Sequence, residues 1–236
     1  MDAQKPLAFF DIDGTLIRSS LLIELCRNLV RLGVFPQRAE RELQKTRIAW
    51  EERHGSYHPY VMAVVSVYYR YLAGCSVNQV TSIAEMTARE QEYRVYVYTR
   101  ELIKRLHSTH TLIAITGSPD IVARPFTALW GFDQRFVFSS TAEITDGQFT
   151  GRRLIRPHED GKDQFIDQCL TLLPGSTLAH SIGVGDTEGD ISLLERVAYP
   201  IAFNPNFALA QVARKHGWRM VIERKDAIWV NGELLA

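Results

Sequence analysis

This sequence of 236 residues has no net charge, no closely paired cysteines and no long apolar run. Its 27 lysines and arginines balance its 27 aspartates and glutamates, so no overall field attracts nucleic acid or an acidic membrane. Three dispersed cysteines lack the spacing of zinc or redox motifs, which favours reduced thiols. The apolar run 61–69 is too short to span a bilayer, and the N-terminal apolar stretch that Asp11 interrupts is too short for a signal peptide. These absences predict a cytoplasmic protein with no nucleic-acid partner and no integral membrane segment.

Apart from the segment 21–106, the chain alternates apolar strands with helices. Strands are predicted at 7–12, 111–116, 135–138, 178–184 and 198–203. Helices are predicted after a Ser118 cap with Pro119 at the first helical position, and over 162–173, 189–197 and 207–216. This alternation predicts an α/β fold with a doubly wound parallel sheet of the Rossmann-like type.

The segment 21–106 departs from that alternation. Its apolar residues keep helical spacing, as at Leu22, Leu25 and Leu29, and strand patterns are nearly absent. We therefore predict a helical cap domain at 19–106, inserted into a core domain formed by 1–18 and 107–236. Two further departures are predicted hairpins, at 143–150 around Asp-Gly and at 228–233 around Asn-Gly.

Asp11 and Asp13 stand at the end of the first predicted strand, in the motif DIDGT. Residues two apart in an extended strand point to the same side, and ligands bind at the carboxyl ends of strands in such sheets. Two carboxylates this close repel each other unless a cation, a proton or hydrogen bonds relieve them. On its own the motif is more often a turn or a helix cap, so it gains meaning only beside a second acidic pair.

Asp186 and Asp190 supply that pair, between another apolar strand and a helix. The glycines around them are not spaced as in the dinucleotide-binding motif, and the two acids would repel a pyrophosphate. Carboxylates gathered from two strand ends form instead a hard, oxygen-rich site suited to Mg²⁺. The candidate magnesium site comprises Asp11, Asp13, Asp186 and Asp190.

Thr116, Gly117 and Lys162 are candidates for binding a phosphate group. Thr116 ends a predicted strand, and backbone N–H groups near Gly117 open the next predicted helix, which is a natural anchor for phosphate. Lys162 precedes a helix and can place a positive charge on phosphate oxygens. Taken singly, Thr116 is more often a plain strand end and Lys162 a solvated lysine.

The motifs stand in one order along the chain: DIDGT, then Thr116, then Lys162, then GDTEGD. This set resembles the haloacid dehalogenase superfamily of aspartate-nucleophile phosphatases, and more closely its phosphoserine-phosphatase-like branch. The resemblance covers nearly the whole chain, including the helical cap and the Asp-Gly hairpin. It implies a magnesium-dependent phosphatase that hydrolyses a small phosphomonoester through an aspartyl phosphate on Asp11.

The resemblance also implies roles for the first acidic pair. Asp11 is the expected nucleophile and a magnesium ligand. Asp13 is the expected general acid for the leaving oxygen and then the base that activates water, with its backbone carbonyl facing the metal. Because the superfamily's dehalogenases generally lack the second carboxylate, Asp13 favours phosphoryl chemistry.

The remaining motif residues are expected to hold the metal and the phosphate. Asp186 is the expected direct ligand, whereas Asp190 is expected to act through water or by holding Lys162. Thr116, Lys162 and the amides near Gly117 are expected to stabilise charge on the transferring oxygens.

The chain differs from phosphoserine phosphatases just after the first motif. Gly14 replaces their usual serine, and no acid stands at Arg18, Ser19 or Ser20, where a glutamate usually reads the substrate's amino group. This difference disfavours phosphoserine as the substrate. The three residues are candidates for substrate contact, and the alternative is that they form a polar linker. The cap tyrosines either line a substrate pocket or, more commonly, pack the cap helices: Tyr57, Tyr60, Tyr68, Tyr69 and Tyr71.

Three other functions stay open at this point. A phosphotransferase or mutase would use the same residues with a different acceptor. A non-catalytic phosphate-sensing module is disfavoured because every required carboxylate is present. A lipid-phosphate phosphatase would need a basic amphipathic helix, of which the arginines in the first cap helices are a weak sign. The sequence identifies neither the substrate nor the oligomeric state.

Overall fold

The computed structural model describes residues 5–54, 57–157 and 161–235. Within these residues, nine strands form one sheet in the order β4-β3-β2-β1-β5-β6-β7-β8-β9. The strands are β1 (Leu7–Phe10), β2 (Thr111–Pro119), β3 (Val137–Thr145), β4 (Gln148–Ile155), β5 (Ile182–Gly185), β6 (Tyr199–Phe203), β7 (Arg219–Arg224), β8 (Ala227–Val230) and β9 (Glu233–Leu234). Six strands are parallel: β3, β2, β1, β5, β6 and β7 in the sheet order. Strands β4, β8 and β9 add antiparallel edges.

Helices cover both faces of this sheet, so the predicted doubly wound α/β fold is confirmed. They are α1 (Leu21–Arg31), α2 (Arg38–Glu51), α3 (His58–Leu72), α4 (Val77–Gln91), α5 (Val97–Leu106), α6 (Asp120–Leu129), α7 (Asp163–Leu172), α8 (Ile191–Leu194) and α9 (Phe207–His216). Among the described residues, none of these helices is both long enough and apolar enough to cross a bilayer.

Strand β1 shows why the sheet is buried on both sides. Successive side chains of a strand point to opposite faces. Ala8 and Phe10 join the larger hydrophobic core, whereas Leu7 and Phe9 join a second core with residues of α7 and α8. The chain moves outward from β1 to β2 and β3, then returns to the other side of β1 to form β5. The carboxyl ends of β1 and β5 therefore flank the topological switch point, where such sheets bind ligands.

Five helices, α1 to α5, lie between β1 and β2. Helix α1 buries Leu22, Leu25 and Leu29, the residues whose spacing predicted it. Helix α5 packs on the sheet, where the ring of its Tyr98 stacks on Phe203 of β6. The domain boundaries given above stay a prediction.

The hairpin of β3 and β4 joins the sheet to the helical segment. Its turn has positive φ at Asp146 and Gly147, as the Asp-Gly signal predicts. Phe149 of β4 exchanges backbone hydrogen bonds with Gly74 and Cys75, which follow α3. Gly151 is needed for this contact, since a Cβ there would lie 2.8 Å from the carbonyl oxygen of Tyr69.

Several predicted boundaries are wrong. Strand β2 continues to Pro119, so Ser118 belongs to the strand and the helix begins at Asp120 without a serine cap. A bulge in the pairing with β3 lets β2 extend this far. Strand β7 is absent from the prediction because its arginines and glutamate weaken the apolar pattern of an edge region. The predicted hairpin at 228–233 exists, as β8 and β9, and β8 pairs in turn with β7.

Glu223 of β7 ties the sheet to both connections of the helical segment. Its buried carboxylate accepts hydrogen bonds from the backbone N–H groups of Val97 (3.0 Å) and Tyr98 (2.8 Å), at the start of α5. It also pairs with Arg18 at 2.7 Å, and the Arg18 guanidinium donates to the carbonyl oxygen of Val95. A carboxylate at a helix N-terminus is favourable on its own account. Glu223 thus fixes the outgoing and returning chain together.

We expect Glu223→Gln to destabilise the protein. The amide keeps one acceptor but turns an N–H donor towards groups that are themselves donors, at a cost of about 2 kcal/mol. For a chain of this size that lowers Tm by about 4–8 °C in calorimetry. The matched control is Glu195→Gln, at an exposed position. Equal Tm values for the two variants would contradict the role assigned to Glu223.

Candidate active site

The site begins where β1 ends. Asp11 follows Phe10 directly, and its backbone N–H donates to the carbonyl oxygen of Val184 in β5. The chain then turns at Gly14, which has φ of +79°. A Cβ on Gly14 would lie 2.1 Å from a carboxylate oxygen of Asp186, so glycine is required by both conformation and space. This turn brings the two acidic motifs into contact.

Lys162 is buried between the motifs, with 2 % of its surface exposed. Its Nζ lies 2.5 Å from Oδ1 of Asp11 and 2.6 Å from Oδ1 of Asp190. Burial by itself lowers the pKa of this ammonium, but the two carboxylates outweigh burial and raise the pKa above its ordinary value. Lys162 therefore carries a positive charge at neutral pH. The expected contact between Lys162 and Asp190 is present.

Asp190 also organises the loop after β5. Its Oδ2 accepts hydrogen bonds from the backbone N–H groups of Asp186 and Thr187, both at 3.0 Å. Thr187 and Asp190 form a reciprocal capping box at the start of a short 3₁₀ turn, Glu188–Asp190. Gly185 makes room for it, since a Cβ there would lie 2.4 Å from Asp190. Asp190 is thus held by lysine on one side and backbone on the other.

Three carboxylates form a candidate metal centre. Asp11, Asp186 and Asp190 each offer an oxygen within 4.8 Å of the others. Burial raises the pKa of Asp11 from 3.8 to about 7, with Lys162 opposing the rise and the neighbouring aspartates adding to it. Burial, followed by repulsion from Asp11 and Asp190, raises the pKa of Asp186 well above its ordinary value. The negative charge of these carboxylate oxygens exceeds the positive charge of Lys162 beside them, and such a set of oxygen donors suits a hard divalent cation.

Asp13 faces a different set of partners. Its Oδ1 accepts from the backbone N–H of Leu21 at 2.6 Å, and its Oδ2 accepts from the hydroxyls of Thr116 (2.9 Å) and Ser118 (2.7 Å). The side chain of Asp13 thus points to β2, apart from the cluster of three carboxylates. Its predicted carbonyl contact with a metal stays a prediction.

Ser118 is a site residue that sequence reasoning does not identify as such. The sequence pattern assigns it to a helix cap, whereas the strand continues and places Ser118 on the same side as Thr116. Besides donating to Asp13, its hydroxyl accepts from the backbone N–H of Leu22 at 3.0 Å. The sequence Thr116-Gly117-Ser118 places two hydroxyl side chains two positions apart, and this spacing is the signal that could have identified Ser118. Gly117 lies between these residues and lines a cavity that opens above the acidic cluster.

The three candidate substrate contacts all line this cavity, but two of them have partners in the protein. Arg18 is bound to Glu223 and lies over the Tyr96 ring at 5.0 Å. Ser19 donates to the buried Glu24 at 2.6 Å. Ser20 is buried at the start of α1, and no carboxylate stands at these three positions. Their part in substrate binding stays a prediction.

A cavity of about 370 Å³ lies over the acidic cluster. Asp11, Asp13, Lys162 and Asp186 line it from the sheet, and residues of α1, α2 and α3 line it from the opposite side. Tyr57 belongs to that opposite side. Burial, followed by repulsion from Asp13 and Asp186, raises the pKa of its phenol, which therefore stays neutral. The enclosed volume suits a small organic ligand between the carboxylates and the helices.

Comparisons with known proteins agree with this geometry. A family model described as haloacid dehalogenase-like hydrolase matches residues 8–195. The chain is 26% identical over 227 residues to a Mycobacterium tuberculosis protein named phosphoserine phosphatase SerB1, covering 93% of this chain and 73% of that protein.

Two solved structures share the fold. A Bordetella pertussis protein of unknown function has a TM-score of 0.76 and 23% identity, covering 94% of this chain and 99% of that one. A structure described as a phospho-aspartyl intermediate analogue of phosphoserine phosphatase has a TM-score of 0.62 and 22% identity, covering 95% of this chain and 96% of that one.

We expect Mg²⁺ to stabilise the protein more at pH 8 than at pH 6. The pKa of Asp11 is raised from 3.8 to about 7, so between these two pKa values the folded protein without metal binds more protons than the unfolded chain. Its stability therefore falls as pH rises through this interval, and a cation must displace these protons to bind. The measurement is the rise in Tm on adding Mg²⁺ at each pH. An equal or larger rise at pH 6 would contradict the protonation described.

Asp186→Asn is expected to raise stability without metal. Asp186 contacts a hydroxyl of Thr15 at 3.5 Å, and its repulsion with Asp11 and Asp190 is relieved in the variant. In EDTA we expect a Tm about 2–4 °C above the unmodified protein, the change that about 1 kcal/mol produces. The Tm increase caused by Mg²⁺ should be lost. A lower Tm in EDTA would show that Asp186 stabilises the fold rather than a metal.

Proposed function

We propose that this chain, which belongs to the haloacid dehalogenase-like hydrolase family, is a magnesium-dependent phosphatase that hydrolyses a small phosphomonoester through an aspartyl phosphate on Asp11. The observation that carries the proposal is the position of Asp11. It lies on the floor of the cavity, 2.5 Å from a buried lysine and within 4.8 Å of two further carboxylates. A carboxylate so placed can attack a phosphorus atom whose oxygens the surrounding charges neutralise.

Asp11, Asp186 and Asp190 would hold the magnesium ion, with Asp190 acting directly or through water. The ion supplies positive charge that favours the ionised form of Asp11 and offsets the charge of the phosphate oxygens. The hydroxyls of Thr116 and Ser118 donate to Asp13. Lys162 contributes a further positive charge, and the backbone near Gly117 lines the other side of the floor. These groups would orient the phosphate for attack.

In the first step, an oxygen of Asp11 forms a bond to phosphorus while the bond to the substrate's alcohol oxygen breaks. Asp13 donates a proton to that leaving oxygen. In the second step, Asp13 takes a proton from water, which attacks the aspartyl phosphate and releases inorganic phosphate and free Asp11. The hydrogen bonds from Leu21, Thr116 and Ser118 orient the Asp13 carboxyl for both transfers.

The relatives support this proposal without deciding the substrate. SerB1 is named a phosphoserine phosphatase, and one structure with this fold is described as a phospho-aspartyl intermediate analogue. The second candidate function is a phosphotransferase that uses an alcohol instead of water in the second step. We also propose that the segment 19–106 acts as a cap that excludes bulk water during the reaction, and that the enzyme works in the cytoplasm.

We expect Asp11→Asn to abolish turnover, because an amide cannot form the phosphorylated intermediate. Phosphate release from para-nitrophenyl phosphate, with Mg²⁺ and with EDTA, should fall by at least about 10³-fold in the variant and in EDTA. The matched control, Asp167→Asn, changes an exposed carboxylate paired with Arg196 and should leave turnover unchanged. Circular dichroism spectra of both variants would check that each of them folds.

Two results would count against the proposal. Turnover that survives in folded Asp11→Asn protein would remove Asp11 as nucleophile. Transfer to added alcohols that exceeds phosphate release would favour the phosphotransferase.

A further inference from the structure

The part of the cavity opposite the acidic cluster is walled by aromatic rings. Trp50 of α2 stacks on Tyr60 of α3, with 5.6 Å between ring centroids and 10° between planes. The ring of Tyr57 lies 4.9 Å from that of Trp50. All three residues line the cavity, and we call them the aromatic wall. A flat apolar group can pack against such a surface, whereas a short aliphatic alcohol would leave it uncovered.

Two arginines stand beside the aromatic wall. Arg27 and Arg47 line the same cavity. Burial raises the pKa of the Tyr60 phenol, and the positive charges of Arg27 and Arg47 oppose that rise, which places both close to the wall. The charge of Arg27 is neutralised by Glu24, 2.8 Å away. Arg27 therefore contributes less to any field inside the cavity.

Arg47 is available to a ligand. Its Nε is buried and has no hydrogen-bond acceptor among the described residues. Glu51, which also lines the cavity, forms an ion pair with Arg47 one turn along α2, but its carboxylate lies 3.9 Å from Nε, too far for a hydrogen bond. A buried guanidinium donor without an acceptor is unfavourable until a ligand provides one, and a carboxylate suits its geometry.

From these contacts, and on the basis of the phosphatase proposed above, we infer that the alcohol part of the substrate carries a flat unsaturated ring and a carboxylate. The ring packs on the aromatic wall and the carboxylate binds Arg47. The phosphate then lies over Asp11 and Lys162, at the other end of the 370 Å³ cavity. Arg47 and Trp50 are thus specificity-determining residues supplied by α2.

Three ring-matched esters test this inference: 4-carboxyphenyl phosphate, phenyl phosphate and 4-(aminomethyl)phenyl phosphate. We expect KM for the carboxylated ester to be about 10-fold below that for phenyl phosphate, and KM for the cationic ester to be the highest. In Arg47→Gln the ratio of KM for phenyl phosphate to KM for the carboxylated ester should fall from about 10 to about 1. Comparing one ester between two proteins cancels differences in leaving-group reactivity.

Matched variants distinguish loss of the Arg47 charge from loss of ring packing on Trp50 and from general damage to the protein. Arg41→Gln changes an exposed arginine of the same helix α2 and should preserve the preference among the esters. Trp50→Leu should raise KM for all three aromatic esters by about 10-fold while leaving glycerol phosphate unaffected. Equal KM values for the three esters, or an undiminished preference in Arg47→Gln, would overturn the inference.

Failure of the phosphatase proposal gives a different result. In that case no ester, including para-nitrophenyl phosphate, releases phosphate from folded protein with Mg²⁺. Calorimetric binding of the three intact esters to Asp11→Asn protein still decides the inference. Tighter binding of the carboxylated ester, lost on adding Arg47→Gln, supports it, and binding without that order refutes it.

Discussion

The buried ammonium of Lys162 is the interaction on which the site depends. It contacts Asp11 from the end of β1 and Asp190 from the loop after β5, so it joins segments that are far apart along the chain. Burying charges costs free energy that only close pairing and hydrogen bonds repay, and removing one partner leaves the others unpaired. The same lysine cannot neutralise all of the carboxylates around it. That remaining negative charge is what makes the cluster a candidate for a divalent cation.

The helical segment is attached to this site through bonds to the sheet. Glu223 in β7 accepts from the start of α5 and from Arg18, so the far edge of the parallel sheet sets the path of both connections. The hairpin of β3 and β4 contacts the end of α3 from the other side. Trp50 of α2 and Tyr60 of α3 belong to the aromatic wall, so these attachments help to hold the wall across the cavity from Asp11. The acidic cluster and the aromatic wall therefore come from different parts of the fold.

In the phosphatase proposed above, this division separates binding of the phosphate from binding of the alcohol part of the substrate. The floor of carboxylates and lysine would bind the phosphate, which is common to every phosphomonoester. The opposite side, with Trp50, Tyr60 and Arg47, would meet the alcohol part of the proposed substrate. Changes in the helices can therefore alter the substrate without disturbing the strands that hold the floor.

The sequence by itself determined the doubly wound sheet, the helical insertion and the acidic motifs, because each has a local pattern. Strand β1 is continuously apolar, α1 repeats its leucines at helical spacing, and Asp11 and Asp13 lie two residues apart. Only the tertiary structure decided that Ser118 stays in β2 to meet Asp13, that Lys162 is buried and also contacts Asp11, and that Glu223 reaches α5. These contacts join residues about 30 to 150 positions apart in sequence, so their pairing depends on packing and charge compensation that no local pattern records.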